Sequence, residues 1–287
     1  MSMPVIVLVA ALAAGTQGQP PSALPETMLN ISGEASVVRY VPDALDRAVH
    51  VARRLDLIAG DLRRRLNGPS PLAAAVLGRR EWEASGQPRP YGLPNRIGTT
   101  TVLTAVPAAG DGGTVALWKR WLGTELPAIQ GQPLVGTREE VASLLLADIF
   151  LQREACELVV VQTLLVGRES WITGLMTHLA LLTLFDRYEP SRMVQVETVF
   201  LRLRRQIPLL LELGAGQPMP TERFLLREAH FFEGAAQIYR QGGPKALTRL
   251  NKQAKKLGGP LTREALVAEY PSVQAWLAGL PEAAEIR

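Results

Sequence analysis

The sequence predicts an α+β fold in which a small α/β N-terminal part packs on a larger all-helical C-terminal part. Before about residue 130, short strand-like runs alternate with one helical stretch and with turns rich in Gly and Pro. From Thr137 onward the apolar residues recur at helical spacing with few interruptions. Size and composition agree: 287 residues, 47% hydrophobic and 20% charged, suffice for one large core or two modest ones and are too apolar for a disordered chain.

The first element is a leader. Met1 to Pro21 carries an apolar run from Val5 to Ala14, small residues at Ala11-Leu12-Ala13 and a polar, proline-bearing segment beyond. That pattern has the dimensions of a secretory signal peptide over 1–15, although no basic residue precedes the run; a buried N-terminal strand or helix is the alternative. It implies an exported protein, periplasmic or extracellular. The run is shorter than the ~20 residues a membrane-spanning helix needs, and the later apolar stretches, Leu144 to Ala147 and Leu158 to Val166, are closely flanked by charge.

A linker over 16–34 then leads into the N-terminal part, 35–130. Val37 to Pro42 reads as a strand. Asp43 caps a helix that runs to Gly68, Leu72 to Gly78 is a second strand, and Arg80 to Thr99 a loop punctuated by Gly and Pro. Thr100 to Gly113 is a third strand running into a turn. The boundary falls near Gly123 to Gly136, and the helical part spans 137–287. Thr137 with Glu140 forms a capping box for a long core helix. Further helices are expected over 170–188, 191–213, 221–240, 244–256 and 262–280. No internal repeat is visible.

Composition narrows function. The net charge of +4 is spread through short groups such as Arg63-Arg64-Arg65 and Lys252 to Lys256, without interleaved aromatics, so no nucleic-acid partner is expected. The single cysteine, Cys156, excludes an intramolecular disulfide and any multi-cysteine zinc module. No Gly-rich phosphate loop, G-x-S-x-G elbow or Cys/His nucleophile pattern is present, and His50 and His230 lie on helices without a partner motif.

One stretch carries chemistry. Arg153-Glu154-Ala155-Cys156-Glu157 has the frame of H-E-x-x-H, in which two imidazoles at i and i+4 bind zinc and the intervening glutamate activates water. The next helix supplies Trp171-Ile172-Thr173-Gly174, the frame of W-x-x-E, and Trp82, Tyr91-Gly92-Leu93-Pro94 and Pro107-Ala108 precede both. Phe231 to Leu247 closes the series. In this order the segments resemble gluzincin-type, peptidase MA-like bacterial metallopeptidases, which implies a zincin-like fold. The resemblance puts Arg153, Glu157 and Gly174 at the former metal-ligand positions and leaves Glu154 as a vestigial general base, the one catalytic position kept. Trp171, His178 and Cys156 would lie beside it.

A guanidinium offers zinc no lone pair and glycine offers no side chain, so the expectation is a pseudopeptidase without metal or other cofactor, acting through a peptide or protein partner in the former cleft. Two alternatives stand. One is an active metal-dependent hydrolase with an atypical zinc site of Glu154, Glu157 and His178, with Asp148, Cys156 or Glu169 close by in sequence. The other is an envelope-associated structural interaction module. The bland reading of Arg153, Glu154 and Glu157 is a solvated helix face, but the flanks Leu144 to Leu151 and Leu158 to Val161 are apolar enough to bury this helix.

Overall fold

A computed structural model describes residues 24, 27–66, 71–97, 103–127, 136–163, 165–213 and 220–280. The leader expected over 1–15 lies outside the described residues. Five strands form one mixed sheet in the order β1-β2-β3-β5-β4. They are β1 (Leu29–Ser32), β2 (Ser36–Tyr40), β3 (Leu72–Leu77), β4 (Asn95–Ile97) and β5 (Leu103–Pro107). β2, β3 and β5 run parallel, whereas β1 and β4 close the two edges antiparallel.

α1 (Leu45–Leu66) returns the chain from β2 to β3, the crossover that two parallel neighbours require. Side chains alternate across the sheet as the period of two dictates. Val38, Tyr40, Ala74, Val76 and Val106 join the main core with α1. Ala75, Leu77 and Ala105 point the other way, into a small cluster with Met28, Trp82 and Tyr91.

Two short helices follow in the N-terminal half, α2 (Arg79–Ala84) and α3 (Gly112–Leu122). The remainder is helical: α4 (Arg138–Val161), α5 (Ser170–Tyr188), α6 (Pro190–Leu213), α7 (Pro220–Gly242), α8 (Ala246–Leu257), α9 (Arg263–Glu269) and α10 (Ser272–Ala278). α4 begins at the expected capping box, with Thr137 and Glu140 bonded reciprocally. Every residue from Ser143 to Cys156 on α4 is buried, as is nearly every one from Trp171 to Phe185 on α5. These two helices form the middle of the molecule. Among the described residues no helix is long and apolar enough to cross a membrane.

Several boundaries differ from expectation. β1 lies inside the stretch read as a linker, because its mostly exposed residues show no alternation. The stretch read as a loop contains α2 and β4, each too short to show a period. α3 replaces a turn: Gly112-Gly113 looks like a breaker, but Asp111 and Thr114 form a capping box that starts a helix there. The last expected helix is two, since Pro271 has no N–H to continue the first.

Candidate functional site

Arg153 sits in the middle of α4, and the arrangement around it follows from helix geometry and one long-range partner. Glu157 is one turn on, where an i,i+4 ion pair forms on any helix, and its Oε2 accepts from Arg153 Nη1. The same Nη1 donates to Glu154 Oε1 at 3.0 Å. The other edge of the guanidinium grips Glu228 of α7 with two bonds, Nε to Oε2 at 2.6 Å and Nη2 to Oε1 at 3.0 Å. This is the fork geometry in which arginine holds a carboxylate best.

The sheet side closes the network. Arg96, on the edge strand β4, donates from Nε to Glu154 Oε2 at 2.9 Å and reaches Glu157 Oε1 with Nη2 at 2.5 Å. Arg89, in the loop before β4, donates to Glu154 Oε1 at 2.8 Å and to the Pro94 carbonyl at 2.6 Å, with its head 3.7 Å from the centre of the Phe224 ring. That loop is itself tied down: Trp82 Nε1 donates to the Arg89 carbonyl, and the Tyr91 hydroxyl donates to the carbonyl of Ala109 and accepts from its N–H. Gly92, next after Tyr91, has φ near +107°, where a Cβ would also press on Thr114.

On the far side, His178 of α5 lies 2.9 Å from Glu228 Oε2 through Nε2. An ionised carboxylate only accepts, so Nε2 carries the proton. Phe200 and Phe232 pack edge-on against the ring.

Three guanidiniums (Arg89, Arg96 and Arg153) therefore meet three carboxylates (Glu154, Glu157 and Glu228), and formal charge balances. A fourth arginine, Arg227, approaches Glu228 only to 3.8 Å with its side chain nearly half exposed. Glu154, Glu228 and His178 are fully buried, and Arg153 is 4% exposed. Burial by itself raises the Glu228 carboxyl, but Arg153, with His178 behind it, outweighs this and holds it well below the ordinary carboxylate range. The same contest, won by Arg153, Arg89 and Arg96, lowers Glu154. Burial opposes the charge on Arg153, and Glu157, Glu228 and Glu154 raise its pKa well above the ordinary value. For His178 burial prevails over Glu228 and the pKa falls.

The residues singled out in the sequence divide accordingly. Arg153, Glu154, Glu157 and His178 share one network. Gly174 does not open towards it, because a Cβ there would lie 2.8 Å from Phe231 Cγ and closer still to the ring's edge. Trp171 is a core residue whose indole donates to Glu169 and packs near Trp276. Cys156 is a buried thiol whose pKa burial pushes up. Asp148 is taken by Arg47 and His50, so His50 has a partner that the sequence did not indicate.

Glu228, Arg89 and Arg96 were missed. For Glu228 a signal exists: it falls with Leu225, Phe232 and Ala235 on one apolar stripe of α7, and a carboxylate there must find a cation. Arg89 and Arg96 belong to a Gly/Pro-rich stretch without periodicity, and nothing marks them.

The zinc that the resemblance would imply does not fit these residues. A guanidinium occupies the position of the first ligand, and the side of α5 that would supply the third is filled by Phe231. Among the described residues no group of three or more His, Cys, Asp or Glu is placed to hold a metal ion. Comparison of the chain with protein-family models, curated proteins and solved structures finds no match to any of them.

Proposed function

We propose that this chain is a non-catalytic, exported protein of zincin-like architecture, a pseudopeptidase that acts by binding a peptide or protein partner. The observation that carries the reading is the Arg153 guanidinium, held by three carboxylates at the position that H-E-x-x-H gives to a zinc ligand. A fixed organic cation there neutralises Glu154 and Glu157 as a metal would, but has no vacant coordination position for water. Its pKa, raised further by the carboxylates, also bars it from general-base work.

Binding belongs at the rim, since Arg153, Glu154, Glu228 and His178 at the centre are buried and already paired, whereas Arg96 and Glu157 reach solvent. Among the described residues β4 pairs only with β5, and its Arg96 side chain remains a third exposed. An extended segment of a partner can add to such an edge through main-chain hydrogen bonds. The buried, already paired centre also favours a second reading, a structural interaction module that uses none of the cleft.

Purified full-length chain, with and without added zinc, should hydrolyse no peptide from an unbiased library and should melt at the same temperature in chelator. Peptides selected from that library should slow amide exchange at Asn95 to Ile97. Zinc-dependent hydrolysis abolished by Glu154→Gln would overturn the non-catalytic reading. Unchanged exchange in β4 with every selected peptide would leave the interaction module as the better account.

A further inference from the structure

A second buried polar cluster lies where α1, α4 and the start of α6 meet, and its charges do not balance. On α1, Arg47, His50 and Arg54 fall at i, i+3 and i+7, one face of the helix. α4 brings Asp148, and the α5–α6 corner brings Glu189 and Arg192.

Each of the four carboxylate oxygens already faces a cationic group. Asp148 Oδ1 lies 2.7 Å from Arg47 Nη2, close enough for an ion pair though misaligned for a hydrogen bond, and Oδ2 lies 2.7 Å from His50 Nε2. Glu189 Oε1 pairs with Arg54, and Oε2 accepts from Arg192 Nη1 at 2.5 Å.

Donors are left over. Arg192 Nε and Nη2, and Arg47 Nη1, are buried with no hydrogen-bond acceptor. Nε and Nη2 form one edge of the guanidinium, the fork that grips two oxygens of a carboxylate or phosphate. Both arginine side chains are only 4% exposed. Three guanidiniums thus face two carboxylates in a nearly dry setting, where unpaired donors and surplus charge are costly. Arg54 stands near the others at the solvent side: burial first, then Arg192, draws its pKa down to about 10. A nearby anion would relieve that pressure.

We propose that this junction binds one small oxyanion, of the carboxylate or phosphate class, on the Nε/Nη2 edge of Arg192. Arg54 and Glu189, each about 15% exposed, are the most accessible members of the cluster, and a guanidinium edge this buried suits a small ion and not a polymer. The site is separate from the Arg153 network and does not depend on the proposed function.

The test is calorimetric titration of the full chain with sodium phosphate, sodium sulfate and sodium acetate, each against sodium chloride at equal ionic strength. One saturable site is expected, with a melting temperature that rises with the same anion. Preference for phosphate and sulfate over acetate would assign a tetrahedral ligand, and the reverse a carboxylate. Arg192→Gln should weaken binding by about ten-fold or more, as expected for lost hydrogen bonds to a charged group, whereas the exposed Arg205→Gln should leave it unchanged. Should Arg192→Gln fail to fold, Arg54→Gln at the more exposed side of the cluster should still weaken binding. Absence of saturable heat and of any stabilisation beyond that of chloride would overturn the proposal, with buried water then satisfying Arg192. Binding that Arg192→Gln and Arg54→Gln leave intact would overturn it too.

Discussion

Arg153 is costly to bury and costlier to remove. Desolvating a guanidinium opposes folding, but its neighbours are arranged so that each of its nitrogens meets a carboxylate. Arg153→Gln would leave Glu228 fully buried with only His178 and the distant Arg227 against it. A loss of about 3–5 kcal/mol is expected, the usual range when one member of a buried pair is deleted. Urea unfolding measures it, and a loss under about 1 kcal/mol would mean that the network behaves like a surface pair reached by water.

Acid should act on the buried carboxylates of both clusters and on His178. Glu228 and Asp148 have folded pKa values below their ordinary 4.5 and 3.8, so their pairing contributes in full above those values and is lost as pH falls beneath them. His178 has a folded pKa below 6.5, so the unfolded chain takes up its proton first and stability already declines as pH drops through that region. The melting temperature should therefore fall gently below about pH 6.5 and steeply below about pH 4.5. Glu228→Gln should flatten the steep limb, and a melting temperature that rises on acidification from neutrality would contradict this account.

At the scale of elements, α5 and α7 meet across glycine. Gly174 on α5 admits the Phe231 ring of α7, and Gly234 on α7 admits Leu175 and Trp276 in turn. A side chain at 174 must displace a buried ring in a packed core, so Gly174→Ala should cost about 1–3 kcal/mol by overpacking. Combining it with Phe231→Ala should recover part of that loss relative to additivity, because the ring is the obstacle. Chemical denaturation of the two single variants and the double variant decides it, and strict additivity would mean that the ring is not what the new methyl meets. The same contact blocks any attempt to rebuild a metal site from Arg153→His, Glu157→His and Gly174→Glu alone.

The long helices were legible because period and caps agree over many residues. Thr137 and Glu140 announced α4, and Pro190 and Gly242-Gly243 bounded α6 and α7. What stayed hidden was short or edge-like, as in α2, β1 and β4, where three to six residues cannot display a period. The site was half legible for a related reason. Arg153, Glu154 and Glu157 share one helix and can be read from spacing, whereas Arg96 and Glu228 reach them from β4 and α7, a relation fixed only by packing.

For the molecule as a whole, the change of texture near Gly123 to Gly136 suggests two parts, yet the core continues through it. A single buried apolar cluster includes Val38 and Leu55 from the first part, Phe150 and Leu179 from the centre, and Val273 from near the end. Polar ties cross the same line. Asp61 on α1 accepts from Arg187 and Tyr188 at the end of α5, Asn251 of α8 donates to the Arg65 carbonyl, and Trp121 of α3 donates to Glu222 of α7. Removing either part would expose the large apolar side chains that now meet across it, along with half of each of those pairs.

Separate unfolding would leave Arg47 and Arg96 without Asp148, Glu154 and Glu157, so the charge networks oppose it as well. The chain from about residue 27 to 280 should unfold in one cooperative transition, with calorimetric and van't Hoff enthalpies equal. Arg96→Ala, which cuts one of the links between sheet and helices, should lower the single transition without splitting it. Two resolved heat-absorption peaks, or a fragment of 137–287 that melts cooperatively on its own, would show that the texture change marks a true domain boundary and that the shared core is only an interface.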